Sequence, residues 1–414
     1  MKENISLIVK AGLCMGCGVC EDMCPKNCIT IEKGRLNVPV VDDKACINCG
    51  LCRKVCAGQG VEIEKRAKAY FGESCSFHKM LGHYQRTYKG YSTENDIRYH
   101  CASGGCLSQL LIWLLDKGKI DGAIVTGYQH NNPMEPRVYI ARSREEVLAG
   151  KSSKYCVVTM NGIAREIHKT LGRYVVVGLP CHIHAFRKYS SVDKTVGERI
   201  VGYFTIFCSS NKNMDSQKYM LWRYKIDKNK LAEFSYRDEG CLGSVFFREK
   251  NRIPMGKPIE FLDFYRGARA FFSISRCAVC SDFFGELGDI CFGDLNVNGP
   301  NDDPIGINSI ISRSAHWDAL LRKCAEEGSL WLSEIDLDTM LDANRYCQKK
   351  KGERMYAARR IRKWMGKENP EYDNLADIEP SLMSYIGYVA GMAQRFIGRH
   401  HALWPIIKIL DKNK

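Results

Sequence analysis

What the 414-residue chain lacks narrows its class first. No uninterrupted apolar run approaches the ~18–20 residues that a membrane-spanning helix needs. Met1 to Lys10 is short and polar and has no apolar h-region, so the sequence predicts no secretory signal. No recognised DNA-binding motif is present, which argues against a specific nucleic-acid partner. Twenty-one cysteines without a secretion signal make a disulfide scaffold a poor reading. They fit a reducing compartment, and the expectation is cytoplasmic. What is present is ordinary globular composition, 45% hydrophobic and 26% charged, in a chain long enough for two or three domains.

Eight of the cysteines form two copies of one pattern. Cys14, Cys17, Cys20 and Cys24, followed by Pro25, and Cys46, Cys49, Cys52 and Cys56, followed by Ala57, both read C-x2-C-x2-C-x3-C. This is the spacing of bacterial two-cluster ferredoxins, in which three thiolates wrap one face of a cubane and the fourth reaches the other cluster. Cluster one therefore takes Cys14, Cys17, Cys20 and Cys56, and cluster two takes Cys46, Cys49, Cys52 and Cys24. A pair of zinc sites is the competing reading, but zinc motifs rarely use this spacing twice with proline after the fourth cysteine. The pattern points to two [4Fe-4S] clusters and to electron transfer.

The formal charge of +14 shrinks once clusters are counted, because each oxidised four-cysteine cluster carries about −2. The remaining excess is concentrated between Arg345 and Lys367, with ten Lys/Arg against one acid, Glu353. A solvated helix face explains such a run plainly, and a dock for an acidic redox partner or an anionic surface is the sharper reading.

Along the chain, residues 1–66 form an α+β ferredoxin-like two-cluster module, with short strands expected at Ile29–Glu32 and Val61–Glu64. The polar stretch Lys65–Gln85 leads into an α/β domain that starts near Tyr84. A helix is expected over Leu107–Leu115 and another over Val157–Leu171, with strands at Gly122–Tyr128, Tyr174–Val177 and Ile200–Phe207. Alternating apolar strands and helices imply a largely parallel sheet covered on both faces. Weaker strands follow at Leu231–Tyr236 and Ser244–Arg248, then helices from Ala315 to the end. The divisions expected are 84–180, 181–340 and a basic helical tail, 341–414.

A third cysteine quartet has a physical rationale. Cys181 follows the strand and turn Val175–Pro180, and Cys208 ends the strand starting at Ile200. Carboxyl ends of parallel strands share one sheet edge, where α/β proteins place their sites. Cys277 and Cys280 form a C-x2-C clip able to close over that edge. The plain alternative is that strand-end cysteines are small core residues. Cys28, Cys75, Cys101, Cys106, Cys156, Cys241, Cys291, Cys324 and Cys347 are read as ordinary thiols.

From about residue 84 to 340 the chain resembles the beta-subunit family of coenzyme F-420 hydrogenases and dehydrogenases. The resemblance lies in Arg98-x4-Ser103-Gly104-Gly105, Ser152-Ser-Lys-Tyr155, Gly178-Leu-Pro-Cys181, Phe207-Cys208, Cys277-x2-Cys280-x-Asp282, and Gly288-Asp-Ile290 before Gly293-Asp294. It implies a third four-iron cluster on Cys181, Cys208, Cys277 and Cys280, beside FAD. Ser103, Gly104 and Gly105 would then open a helix whose N–H groups face a pyrophosphate. Lys154 would neutralise a phosphate or sit near the flavin N1 edge, and Tyr155 would pack against a ring. Asp289 and Asp294 are candidates for ribityl or ribose hydroxyls. Family members often carry Gln where His182 stands here, and His182 is the candidate catalytic proton donor. Each of these residues also has a plain structural reading, as helix start, strand start, turn former or core histidine.

The combined expectation is an FAD- and iron–sulfur-dependent oxidoreductase that exchanges electrons between clusters, flavin and an organic substrate. A deazaflavin and a surface-polysaccharide intermediate are the substrates the resemblance suggests. Alternatives are a non-catalytic electron-transfer subunit and a redox or iron sensor. A redox partner protein, ferredoxin or oxidoreductase subunit, is expected. Ser381–Leu410 reads as a helical segment interrupted by Pro405 and packed on the body, with weak membrane-surface association as the alternative.

Overall fold

The computed structural model describes residues 3–72, 75–268, 270–295, 303–345 and 350–411. The N-terminal module is built by its repeat. Helical turns at Val19–Asp22 and Leu51–Lys54 each follow a left-handed glycine, Gly18 (φ 76°) and Gly50 (φ 72°). Each such turn folds the chain so that its flanking cysteines face one another, and a residue without Cβ is what the positive φ favours. Ile29–Glu32 pairs antiparallel with Val38–Val41. The second half departs from the expected strand at Val61–Glu64. Only Gly60–Val61 is strand, and it pairs in parallel with Glu371–Tyr372 of the C-terminal tail. A helix, Ile63–Phe71, begins there instead, because Asp373 accepts the N–H groups of Glu64 (2.9 Å) and Lys65 (3.0 Å) at its first turn.

The body is an eight-stranded sheet. In chain order its strands are β1 (Arg86–Ser92), β2 (Gly122–Gln129), β3 (Asn132–Ala141), β4 (Tyr174–Gly178), β5 (Ile200–Ile206), β6 (Ile290–Asp294), β7 (Asn308–Ser312) and β8 (Leu330–Glu334). Their spatial order is β8-β1-β7-β6-β5-β4-β2-β3. The four central strands, β6, β5, β4 and β2, are mutually parallel. The outer strands pair antiparallel, so the sheet is mixed and only its centre is parallel. β3 returns directly from β2 through a tight connection, and such short connections join antiparallel partners only. β8 also interrupts the helices expected after Ala315, and pairs with β1.

Helix α1 (Cys106–Asp116) packs its apolar side on one sheet face, with Trp317 and Leu321. Helix α2 (Pro180–Ser190) covers the other with Ile183 and Phe186. The core on that second face continues into the ferredoxin-like module through Val19, Met23 and Val55. The helix expected over Val157–Leu171 is confined to Ile163–Lys169. The preceding residues run along the module instead: Met160 N–H donates to the Cys17 carbonyl (2.8 Å) and Thr159 Oγ1 to the Gly16 carbonyl (3.1 Å). Asp22 holds the junction, accepting from the N–H groups of Gly162 (2.6 Å) and Ala164 (2.9 Å). Burial raises its pKa to about 6. Beyond the sheet, a three-stranded antiparallel unit (Glu233–Asp238, Ser244–Arg248, Ile259–Glu260) shares an aromatic core with Trp404 and Ile407 of the tail.

Candidate functional site

The thiols of each N-terminal quartet stand together. Burial pushes the Cys17 thiol up to about 12, and Cys56 and Cys14 push it further in the same direction. Burial likewise raises Cys20 well above its ordinary range, with Cys17, Cys56, Cys14 and Cys52 adding to the effect. Cys24, Cys46, Cys49 and Cys52 line a small cavity of about 20 Å³. Cys52 is raised first by burial, then by Cys49 and Cys24. These are the crossed sets implied by the spacing, each triplet taking its fourth thiol from the other run. Cys28 joins the second group, with its Sγ 3.3 Å from that of Cys24, a proximity the spacing alone does not reveal. Among the described residues no three His, Cys, Asp or Glu side chains converge on a single-ion site. A cubane, with iron at four corners, asks its thiolates to stand farther apart, and sulfur groups that disfavour one another's ionisation suit a cationic metal core.

Cys181, Cys208, Cys277 and Cys280 also meet. Cys181 sits on the first turn of α2, beyond the carboxyl end of β4, and Cys208 lies just past β5. Cys277 belongs to a 3-10 turn, Ser275–Val279, with Cys280 next after it. Burial raises Cys181 well above its ordinary range, and Cys208, Cys277, Cys280 and Cys17 add to it. The third quartet therefore abuts the first through Cys17, as the first abuts the second through Cys20 and Cys52. Two buried cations stand at the junctions. Arg276 donates to the Gly58 (3.0 Å) and Ala57 (3.4 Å) carbonyls and to Tyr372 Oη (2.6 Å). Lys188 Nζ donates to the Cys56 carbonyl at 2.8 Å.

Cys208 and Cys277 form part of the wall of one large cavity, about 1130 Å³ in volume, at the carboxyl edge of the parallel strands. That is at or above the ~300–1,000 Å³ of small-molecule and cofactor sites. Ser103, Gly105, Lys154, Tyr155, His182 and Asp294 line it. Ser103 (φ 63°) and Gly105 (φ 75°) form the turn into α1, and Ser103 Oγ donates to the Ile307 carbonyl at 2.8 Å. The N–H of Cys106 is already taken by Asn308 Oδ1 (3.0 Å).

Several candidates are placed differently from expectation. Gly104 does not line the cavity: a Cβ there would meet the Gly90 carbonyl (2.7 Å) and Asn308 N (3.0 Å), so its smallness serves the packing of β1 and β7. Asp289 is outside the cavity altogether. It precedes β6 at the opposite sheet edge, bonded to Arg187 (3.1 Å) and accepting from Tyr203 N (2.7 Å). Its carboxylate is consumed in a buried pair, so it has no hydroxyl-binding role in the cavity. Lys154 faces the cavity, but its Nζ donates to the carbonyls of Gly150 (2.8 Å), Lys151 (2.6 Å) and Ser152 (3.0 Å). Its charge acts there, while its protons are committed. Burial lowers its pKa to about 7. Tyr155 packs against Phe261, ring centroids 5.0 Å apart. Burial holds the His182 imidazole down at about 4, so it is neutral at ordinary pH and poorly suited to deliver a proton as imidazolium.

Arg237 is the residue that sequence reasoning missed. It is 2% exposed and lines the cavity, with Nη1 bonded to Asp294 (3.0 and 3.1 Å) and Nε donating to the Leu242 carbonyl (2.7 Å). Its Nη2 is buried and has no hydrogen-bonded N or O partner among the described residues. Lys212 and Arg395 also line the wall. A cavity walled by Lys154, Lys212, Arg237 and Arg395 fits an anionic ligand such as the pyrophosphate of FAD. No motif signals Arg237, because it lies in a short strand of the three-stranded unit.

Comparison with known proteins agrees with this layout. The profile of a 4Fe-4S dicluster domain matches residues 13–59. Two further profiles, for the N-terminal and the C-terminal parts of the beta subunit of coenzyme F420 hydrogenase/dehydrogenase, match residues 87–164 and 171–338. The chain is 26% identical to the coenzyme F420-dependent sulfite reductase of Methanocaldococcus jannaschii, over 83% of this chain and 51% of that protein. It thus spans about half the length of that relative. It is 25% identical to the beta subunit of the coenzyme F420 hydrogenase of Methanosarcina barkeri, over 62% of this chain and 84% of that one. In fold it resembles a chain from the structure of the F420-reducing [NiFe] hydrogenase complex of Methanosarcina barkeri. The TM-score is 0.55 at 18% identity, covering 71% of this chain and 99% of that one.

Proposed function

The chain belongs to the coenzyme F420 hydrogenase/dehydrogenase beta-subunit family, and from that premise we propose that it relays electrons between its ferredoxin-type clusters and an organic substrate held in the large cavity. One observation carries the reading. The three cysteine quartets follow one another, second to first through Cys52 and Cys20 and first to third through Cys17 and Cys181, and the third opens on the cavity wall at Cys208 and Cys277. In this reading the third quartet holds a [4Fe-4S] cluster and the cavity holds FAD. When bound, FAD exchanges single electrons with clusters and hydride with organic molecules. Arg237 would pair with its pyrophosphate, the Ser103–Gly105 turn would receive phosphate oxygens, and Asp294, fixed by Arg237, would accept from a hydroxyl. Lys154 would hold positive charge beside the bound anion without donating a hydrogen bond to it. A deazaflavin coenzyme is the first substrate candidate, from the names of the relatives.

Anaerobic purification with iron, sulfide and flavin analysis tests the reading. The expectation is about twelve irons per chain and one flavin, with the reduced protein reoxidised by a deazaflavin acceptor. Iron content of about eight would remove the third cluster. A chain that takes up no flavin under any condition would remove the flavin site. Relatives named as subunits support a second reading, in which the chain passes electrons to a separate protein that holds the substrate. Anaerobic gel filtration of native extract separates the two, a fixed heteromer favouring the second.

A further inference from the structure

An amphipathic helix packed on a protein ordinarily turns its apolar stripe inward. Helix α3 (Leu382–Arg399) does the reverse. Its buried residues are Ser384, Gly391, Arg395 and Gly398, whereas Leu382, Met383, Ile386, Val389 and Phe396 are exposed. Those five positions recur at helical spacing and so make one stripe. Leu382 and Met383 are 74% and 71% exposed. The inward contact is close at Gly398, where a Cβ would run into the backbone of Phe271, and Ile397 beside it packs against the aromatic core. Helix α4 (Trp404–Asp411) extends the exposed face with Ile406 and Ile409, while Trp404 and Ile407 anchor it in the aromatic core. At the other end Trp364, 71% exposed, stacks on Tyr385 with ring centroids 5.5 Å apart.

The charges say what covers this face. From Ser381 to Asp411 the one acid is Asp411, at the end of α4, against three Lys/Arg, of which Arg395 is buried on the inner side of α3. Lys363 and Lys367 are exposed on either side of Trp364 and Met365, and Arg399 is exposed at the end of α3. Nearby acids are engaged away from the stripe. Glu379 pairs with Arg360, Glu353 accepts from Ser381 and Ser384, and Asp373 caps the helix at Glu64. Glu368, Glu371 and Asp377 are exposed in the connecting segment rather than on α3 or α4. An apolar stripe with a cationic margin and a Trp–Tyr pair at one end matches a helix lying in a lipid interface. No helix among the described residues is long and apolar enough to cross a membrane. We infer that α3 and α4 dock the protein flat on an anionic phospholipid bilayer. Gly391, Gln394 and Arg395, on the inner side of α3, line the large cavity, so docking sets that wall beside the lipid surface.

The test is flotation of the full-length, cluster-containing protein with vesicles of equal parts phosphatidylglycerol and phosphatidylcholine. Binding is expected, weaker on phosphatidylcholine alone and weaker at high salt. The double variant Ile386→Ser/Phe396→Ser, both positions exposed and outside the cavity lining, should bind about tenfold or more weakly with unchanged cluster absorbance. A native protein that stays off these vesicles, or a double variant that floats equally well, overturns the inference. So does a dimer seen by light scattering that the double variant abolishes without any vesicle binding, which would make the face a contact between two copies.

Discussion

The two places where cysteines gather are built in opposite ways. The N-terminal eight lie in one short stretch, on turns opened by Gly18 and Gly50, over a small core of Ile5, Ile8, Leu13 and Ile29. Cys181, Cys208, Cys277 and Cys280 come from three separate segments: the main sheet sets the first two at its carboxyl edge, and Arg276 pins the turn that carries the other two to the Gly58 carbonyl and Tyr372. In the first case the chain's local geometry arranges the thiols but buries little of its own. In the second, the sheet core and the buried Arg276 position them whether or not a metal joins them. The difference teaches that one set should need iron to keep its fold and the other should not.

Iron removal breaks or sharpens that contrast most directly. Anaerobic chelation should unfold residues 3–62 locally while the sheet persists, read by hydrogen exchange as lost protection in the module and retained protection in β4–β6. Equal protection in both regions would end the comparison. In the same experiment Cys280→Ser should lose about four irons with a melting temperature near that of the native chain, whereas Cys52→Ser should lower module protection.

A smaller effect is expected at the junction between the two regions. Arg276→Met leaves the Gly58 carbonyl and the Tyr372 hydroxyl without their buried donor, while the Ala57 carbonyl keeps the Gly60 N–H (3.2 Å). Unsatisfied buried groups cost ~1–3 kcal/mol each, so a loss of roughly 3 kcal/mol is expected in denaturant titration. A change below ~1 kcal/mol would mean that the module docks without it.

In the cavity, Arg237→Gln should weaken flavin binding by about 10- to 100-fold, the range of one charge-assisted hydrogen bond, with iron content unchanged. Unchanged affinity would show that Arg237 is not an anion contact. The smallest effect concerns Lys154, whose pKa burial lowers from 10.5 to about 7. Between those values the unfolded chain binds more protons than the ligand-free fold, so stability rises with pH through that window, and the full cost is present below about 7. A bound anion stabilises the ammonium, so flavin binding at about pH 8 should take up a fraction of a proton. Calorimetry in buffers of different ionisation enthalpy measures it, and Lys154→Met should abolish it.

Much of this was legible in the residues. The strands Ile29–Glu32 and Ser244–Arg248 fall where their patterns place them, and β2, β4, β5 and α1 differ from expectation by a residue or so at their ends. The misses have physical reasons. Val157–Asn161 is rich in strand formers and instead runs along the module, with Met160 N–H donating to the Cys17 carbonyl and Thr159 Oγ1 to the Gly16 carbonyl. The tail carries a helical apolar stripe, yet periodicity states only that one face is apolar and not which way it points.

By itself the sequence determined the spacing of the two N-terminal quartets and the positions of β2, β4, β5 and α1 in the body, because ligand spacing and hydrophobic period act between near neighbours in the chain. Strands β1, β3, β6, β7 and β8 were not legible in it. Only the tertiary structure decided the rest. It drew Asp289 to Arg187 at the far sheet edge, spent the protons of Lys154 on three carbonyls, buried Arg237 against Asp294 in the cavity wall and turned α3 apolar side out. Each of those outcomes is a competition for partners between residues distant in sequence, settled by which groups the packed sheet and its helices bring within hydrogen-bonding or van der Waals reach.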